Sequence, residues 1–229
     1  MNVSVVIPCF NEEKTIREIV KTVKSYLNEN DEIIVVDDCS TDNTQEILKN
    51  DLKGTISKLI INKNNYGKGY SLRQGFSHAK CEIILIQDAD LEYHPSDFER
   101  LLKPIKEGVA DVVYGSRFTG SNEKRILYFW HTLGNKLLTL LSNIFSNLNL
   151  TDMEVGYKVF RSDILKDLKL KENRFGFEPE ITAKIAKKKL RIFEVGVKYF
   201  GRKYIDGKKI TWIDGISALR CILYYNLFK

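Results

Sequence analysis

Short apolar runs alternate with amphipathic stretches through the first half of the chain. Val3–Ile7, Ile33–Val36 and Ile83–Ile86 are apolar blocks of strand length. Between the first two, Ile16, Ile19, Val20, Val23 and Leu27 recur at helical spacing and predict a helix from about Glu12 to Asn28. After the second block, Ser40-Thr41-Asp42-Asn43 offers N-caps for a helix carrying Ile47 and Leu48. Weaker strands at Lys58–Ile61 and Asp111–Tyr114 continue the series. This alternation predicts an α/β fold, a parallel sheet covered by helices on both faces. In open sheets of this kind ligands bind beyond the carboxyl ends of the strands.

Chemically distinctive residues fall at those ends. The first strand runs into Pro8-Cys9-Phe10-Asn11-Glu12-Glu13, the second into Asp37-Asp38-Cys39-Ser40, the third into Gln87-Asp88-Ala89-Asp90. In an extended backbone Asp88 and Asp90 share a face. Two like charges held that close need a countercharge, and a hard divalent cation bound to phosphate oxygens supplies one. Turn chemistry is the alternative use of an isolated Asp-x-Asp. Acidic and amide groups converging from three adjacent strand ends favour the metal reading. No GxGxxG follows the first strand and no GxxxxGK[ST] occurs. The loop Asn65-Tyr66-Gly67-Lys68-Gly69 and a following helix with Arg73 are either a plain turn or an approach to a diphosphate.

Composition narrows the partners. At 229 residues with 43% apolar content, the chain fits one large domain with at most a modest C-terminal extension. A net charge of +6 leans on two basic clusters, Lys184, Lys187, Lys188, Lys189 and Arg191, then Arg202, Lys203, Lys208 and Lys209. They suggest an anionic partner or a solvated helix face. No stacking motif with interleaved basic residues appears, and an acidic crevice repels phosphate without metal, so no nucleic-acid partner is expected. Four cysteines lack metal-ligand spacing, and Cys9, Cys39 and Cys81 are expected as buried free thiols. With only three histidines, zinc is disfavoured. The N-terminus enters a strand without a signal-peptide pattern, so a cytoplasmic setting is expected.

In combination these motifs resemble family 2 glycosyltransferases of the GT-A fold, a Rossmann-like, mainly parallel sheet flanked by helices. The resemblance rests on Ser4-Val5-Val6-Ile7-Pro8 with Asn11-Glu12-Glu13, Val36-Asp37-Asp38-Cys39-Ser40-Thr41-Asp42, and Asp88-Ala89-Asp90. It implies a nucleotide-sugar donor, Mg²⁺ or Mn²⁺, and inverting displacement at the anomeric carbon. Pro8, Asn11, Glu12 and Asp37 would line the base and ribose pocket with Asp38 and Lys68 nearby. Asp88 and Ala89 would face the ribose or diphosphate, and Asp88, Asp90 and Glu92 the metal.

The second half is similar to polyprenyl-phosphate sugar synthases, including the dolichyl-phosphate mannose and glucose enzymes. Leu91-Glu92-Tyr93-His94-Pro95, Gly115-Ser116-Arg117-Phe118, and Thr151-Asp152-Met153-Glu154-Val155-Gly156-Tyr157-Lys158 carry that likeness. So do Phe175-Gly176-Phe177-Glu178-Pro179-Glu180 and Tyr199-Phe200-Gly201-Arg202-Lys203-Tyr204. It implies transfer of a hexose, from a GDP-mannose or UDP-glucose type donor, to a dolichyl or undecaprenyl phosphate. The alternative is a soluble or saccharide acceptor. A lipid phosphate needs gripping rather than deprotonation, which suits Arg117 and Arg202, with Arg125 and His131 as further contacts. Asp90, Arg117 and Asp152 are the expected catalytic residues, Asp152 as base, orienter or loop anchor.

Ile126–Leu150 is long and mostly apolar but interrupted by His131, Gly134, Asn135, Lys136, Asn143 and Asn147, which argues against a membrane span. Phe129, Trp130, Leu133, Leu137, Leu140 and Leu141 suit a helix lying in a membrane interface or packed in a core, as does the tail Trp212–Phe228. A GT-A domain over 1–205, an amphipathic helix over 206–229 and peripheral attachment at the cytoplasmic membrane face are the resulting expectations.

Overall fold

The computed structural model describes residues 1–120, 125–126, 128–202 and 212–229, with side chains from 214 in the last segment. Lys203, Tyr204, Lys208, Lys209 and the 205/206 boundary lie outside the described residues, as does the side chain of Trp212.

Among the described residues seven strands form one sheet in the order β3-β2-β1-β4-β6-β5-β7. They are β1 (Val3–Cys9), β2 (Glu32–Asp37), β3 (Lys58–Ile61), β4 (Ile83–Ile86), β5 (Val112–Ser116), β6 (Lys158–Arg161) and β7 (Ile192–Gly196). β1 and β4 are buried along their whole length, as continuous apolar runs with helices on both faces should be. Pro8 is tolerated in central β1 because β4 stops opposite Val6, so at Pro8 only β2 flanks the strand.

The helices are α1 (Ile16–Ser25), α2 (Thr44–Asn50), α3 (Lys68–His78), α4 (Phe98–Lys106), α5 (Phe129–Ser146), α6 (Ser162–Asp167), α7 (Phe177–Lys187) and α8 (Trp212–Leu227). α1 is shorter than the periodicity predicts. At its start the Glu12 carbonyl closes a turn on Thr15 and Ile16, and beyond its end the Asp31 carboxylate takes the Asn28 N–H. α3 lies close on the sheet because Gly75 faces Val6, whose methyl a Cβ would overlap.

The sheet is mainly parallel, as expected, with one reversed strand. β6 runs antiparallel to both β4 and β5, pairing Leu85 with Val159 and Tyr114 with Lys158. The chain therefore enters β6 from the carboxyl edge of its neighbours, and residues 151–157 lie where the strand-end carboxylates already are.

Two composition-based expectations need correction. The first basic cluster is largely neutralised internally. Lys184 pairs with Glu180 at 2.6 Å, Lys188 with Asp167 at 3.6 Å and Arg191 with Asp111 at 2.7 Å, and Lys187 donates to the Tyr225 carbonyl. Cys9 is buried, but Cys39 and Cys81 are only half-buried because they sit in the loops flanking β2 and β4. α8 packs on α7 and α5 through Ala218, Cys221, Ile222 and Tyr225. Among the described residues no helix is long and apolar enough to cross a membrane.

Candidate active site

Each of the three acidic strand ends turns through a non-glycine residue in the left-handed region: Asn11 at φ 52°, Cys39 at 63° and Leu91 at 61°. Such conformations are unfavourable for a bulky side chain and persist where surrounding bonds over-determine them. At β1 and β2 those bonds come from the loops themselves. The Asn11 amide oxygen accepts the Thr41 N–H at 2.8 Å, and the Asn11 N–H donates to the Ser40 hydroxyl at 2.9 Å. Asp37, fully buried, accepts from the Ser40 N–H at 3.1 Å and Gln45 Nε2 at 2.9 Å. Asp38 accepts three neutral donors, Asn62 Nδ2 at 2.7 Å and the N–H groups of Tyr66 and Gly67 at 3.0 and 2.7 Å. It thereby sets the loop that delivers Lys68 at the start of α3. Pro8 is buried within β1 beneath these loops.

At β4 the strand ends at Ile86, so Asp88 and Asp90 occupy a turn rather than one face of an extended strand. Buried Gln87 bends the chain, donating from Nε2 to the carbonyls of Asp88 and Tyr93 at 3.0 and 3.3 Å while accepting from Tyr157 at 2.7 Å. Ala89 is buried between the two aspartates. Asp88 meets Lys68 Nζ at 2.9 Å, and Asp90 meets Arg202 Nη2 at 3.1 Å. Burial, with the charges of Asp88 and Glu92, pushes the Asp90 carboxyl up to about 7 even beside Arg202. Burial opposes the charge on Lys68, yet Asp88 and Glu178 hold its pKa above the usual lysine value. Arg202 also donates to buried Glu12 through both Nη groups at 3.2 Å, and its own Nε is buried without a partner among the described residues.

The two aspartates fit a hard divalent cation: both are oxygen donors, and the excess negative charge that raises Asp90 is what such an ion relieves. Glu92 is held differently, accepting the Tyr199 hydroxyl at 3.0 Å and the Arg202 N–H at 2.7 Å. Among the described residues no three acidic, imidazole or thiolate groups converge on one ion position. A cation at Asp88 and Asp90 would complete its shell with ligand oxygens.

The other wall comes from β5 and the approach to β6. Arg117 and Asp152, two separate candidates in the sequence, form one buried bidentate pair, with Nε and Nη2 at 2.6 and 2.7 Å from the carboxylate. The Arg117 N–H adds a third bond at 3.0 Å, and Asp152 is 0% exposed. Both oxygens of Asp152 are engaged by Arg117 in this geometry. Although burial opposes the charge, Asp152 keeps the Arg117 pKa well above its usual value. The guanidinium also stacks over Tyr199 at 5.2 Å, so a chain of contacts runs from Arg117 through Tyr199, Glu92 and Arg202 to Asp90. Arg125 donates to the Gly201 carbonyl at 2.8 Å, and His131 sits half-buried on α5 with its ring beside Tyr128. Arg73 turns away from the carboxylates and ties α3 to Asn173 at 2.6 Å.

Sequence reasoning missed several participants. Glu178, at the start of α7, meets Lys68 at 3.2 Å. Gly156 packs so tightly that a Cβ would overlap the Asp88 carboxylate. Lys158 is fully buried, its ammonium over the Tyr114 ring at 5.0 Å, and burial lowers its pKa to about 8. Glu154 is pushed up to about 8 by burial and then by the charge of Glu178. The signal available was their shared presence in quoted motifs; their convergence is a property of the fold.

This geometry is that of a glycosyl-transfer enzyme built on a nucleotide-binding sheet, and known proteins agree. Glucosyl-3-phosphoglycerate synthase from Mycobacterium tuberculosis, crystallised with Mn²⁺, UDP and phosphoglyceric acid, is similar in structure. Its TM-score is 0.78 at 18% identity, over 100% of this chain and 79% of that one. The likeness shows the fold, GT-A. The model for glycosyl transferase family 2 matches residues 4–169, and the chain belongs to that family. Among full-length relatives, an uncharacterized protein of Methanocaldococcus jannaschii is 32% identical over 98% of this chain and 92% of its own length. A dolichyl-phosphate beta-glucosyltransferase of Trichomonas vaginalis is 27% identical over 98% of this chain and 74% of its own. A dolichol-phosphate mannosyltransferase of Pyrococcus furiosus is 28% identical over 92% of this chain, which spans 61% of that protein.

Proposed function

We propose that this glycosyltransferase moves a hexose from a nucleotide sugar, of the UDP-glucose or GDP-mannose type, onto a polyprenyl phosphate with inversion at the anomeric carbon. The observation that carries the reading is the link from Arg117 to Asp90 through Tyr199, Glu92 and Arg202, which joins a guanidinium suited to an acceptor phosphate to carboxylates suited to a donor diphosphate. The names of the Trichomonas and Pyrococcus relatives support it.

In this reading Asn11, Glu12, Asp37, Asp38 and Lys68, with Pro8 beneath, shape the donor pocket. Asp88 and Asp90 would hold Mg²⁺ or Mn²⁺, which when bound neutralises charge gathering on the leaving diphosphate. An acceptor phosphate oxygen, already ionised at neutral pH, attacks the anomeric carbon from the face opposite the diphosphate. The bond to the diphosphate oxygen breaks as the new anomeric C–O bond to phosphate forms, and nucleoside diphosphate leaves. No base is required, which agrees with an Asp152 committed to Arg117. Three guanidinium donors of Arg117 remain beyond that pair for the phosphate. The Nε–H of Arg202, unpartnered among the described residues, is another donor for a phosphate oxygen.

A lipid acceptor asks for a surface on which to meet it. α5 exposes Phe129, Trp130, Leu133, Leu137, Leu140 and Ile144, α8 exposes Ile216, Leu219 and Leu227, and Phe228 follows it, also exposed. These two helices pack side by side. In our reading this apolar face, with Lys136 among its residues, lies in the interfacial region of a bilayer and makes the protein peripheral at the cytoplasmic face.

The test offers radiolabelled UDP-glucose and GDP-mannose, each with Mn²⁺, to the protein with a short polyprenyl phosphate or with soluble saccharides. Label entering solvent-extractable lipid only when polyprenyl phosphate is present is the expected result. Label entering the saccharides instead would overturn the lipid acceptor.

A further inference from the structure

Two buried carboxylate oxygens at the site have no hydrogen-bond partner among the described residues, Oε1 of Glu154 and Oε2 of Glu178. Buried acceptors are nearly always matched with donors, so an unmatched one in a binding crevice marks a place where a ligand donor completes the set. For Glu178 the other oxygen is already on Lys68, which reaches Asp88. Among the described residues Glu154 has no ion pair or hydrogen bond of that kind binding it to the machinery, so it is the informative residue.

Its position is fixed from both sides. Two residues earlier, Asp152 is locked to Arg117, the guanidinium assigned to the acceptor phosphate. Two residues later, Gly156 abuts the carboxylate of Asp88, assigned to the donor, and donates its N–H to the Tyr93 hydroxyl at 3.2 Å. Glu154 therefore stands on a short, doubly anchored bridge between the two phosphate-binding ends of the site. In transfer from one phosphate to another, the moving sugar must lie between them. The charges acting most strongly on Glu154 are those of Glu178, Lys158, Arg117 and Asp152, which places its carboxyl among both groups. A hexose presents hydroxyl groups that both donate and accept, the partner that this oxygen lacks whether or not the carboxyl carries its proton.

We propose that Glu154 reads a hydroxyl of the transferred hexose, and so positions the sugar and sets which hexose is accepted. This rests on the glycosyl-transfer reading above. A site built to hydrogen-bond a hydroxyl discriminates sharply against a ligand that does not present it, because its polar group is then left unpaired.

The experiment measures binding of UDP, UDP-glucose, UDP-galactose, GDP and GDP-mannose in the presence of Mn²⁺, and transfer kinetics with the active donor, for wild type, Glu154→Ala and Glu154→Gln. Binding of the sugar-free diphosphates also reports whether each variant is folded. Glu154→Ala should bind UDP or GDP within about twofold of wild type while the sugar-bearing donor weakens about tenfold. Its preference among the three sugars should shrink, and Glu154→Gln, which keeps an acceptor of the same reach, should recover most of both. Equal donor affinity and unchanged sugar preference in Glu154→Ala would overturn the inference, as would an equal loss of sugar-free diphosphate. A wild-type protein that binds diphosphates but turns over no nucleotide sugar would instead overturn the transfer reading itself.

Discussion

Asp37 and Asp38 at the end of β2 are held by neutral donors, whereas Asp88 and Asp90 after β4, Asp152 on the approach to β6 and Glu12 after β1 are held by opposite charges. Asp38 takes two backbone N–H groups and an amide, and Asp37 a backbone N–H and the Gln45 amide. Asp152 takes Arg117, Asp88 takes Lys68, Glu178 shares Lys68, and Asp90 takes Arg202. The first arrangement is local and stiffens loops. The second joins residues distant in sequence, and it stores charge that a diphosphate and a cation can reorganise. Shape is fixed on one side of the crevice and charge is balanced on the other.

That contrast can be broken by experiment. The largest effect should come from Asp90→Asn, which removes a hard oxygen from the charge-balanced side and should lower transfer about a thousandfold. Transfer within tenfold of wild type would detach Asp90 from the chemistry. Next, removing one partner of the buried Arg117–Asp152 pair should cost about 3–5 kcal/mol in denaturant unfolding. Asp38→Asn, which loses acceptor capacity against neutral donors, should cost about 1–3 kcal/mol. If the two sides cost the same, the distinction between them fails. Smaller again, Trp130→Glu with Leu137→Glu should weaken binding to anionic lipid vesicles about tenfold while unfolding stays within about 0.5 kcal/mol of wild type. Unaltered flotation with vesicles would remove α5 from the membrane face.

The smallest effect concerns pH. Hydrogen bonds from Arg191 hold the Asp111 carboxyl down at about 2, against an unfolded value of about 3.9. A group depressed in the folded state contributes stability that is fully present above the unfolded value and is lost as pH falls toward the folded one. Arg191→Ala should flatten the stability profile between about pH 4 and pH 2 and lower Tm at pH 7 by about 2–4 °C. A profile as steep as wild type would mean that the pair is not the source of the slope.

Much of the fold was legible because its signals are local. The apolar runs of β1, β2, β4 and the weaker β3 and β5 stand at the observed positions within a few residues. The reversed β6 was not, since Lys158–Arg161 lacks the apolar purity of a buried strand, and its direction depends on where α5 returns the chain. The same holds for the site. Asp37, Asp38, Asp88 and Asp90 announce themselves by following strands. Arg117 and Asp152 stand 35 positions apart, and Lys68 and Glu178 stand 110 apart, separations that no motif spacing encodes. Left-handed Leu91 is likewise invisible, because leucine gives no hint of a turn that Gln87 imposes through its side-chain hydrogen bonds.

The central claim is that the carboxylates after β4 hold a cation against a sugar diphosphate while a lipid phosphate attacks. Its most direct measurement is label transfer from the active nucleotide sugar to polyprenyl phosphate in chelator, followed by addition of Mn²⁺, for wild type and Asp90→Asn. The account predicts no transfer in chelator, recovery of wild type with Mn²⁺, and no recovery of the variant. Undiminished transfer in chelator by the wild-type protein would contradict it.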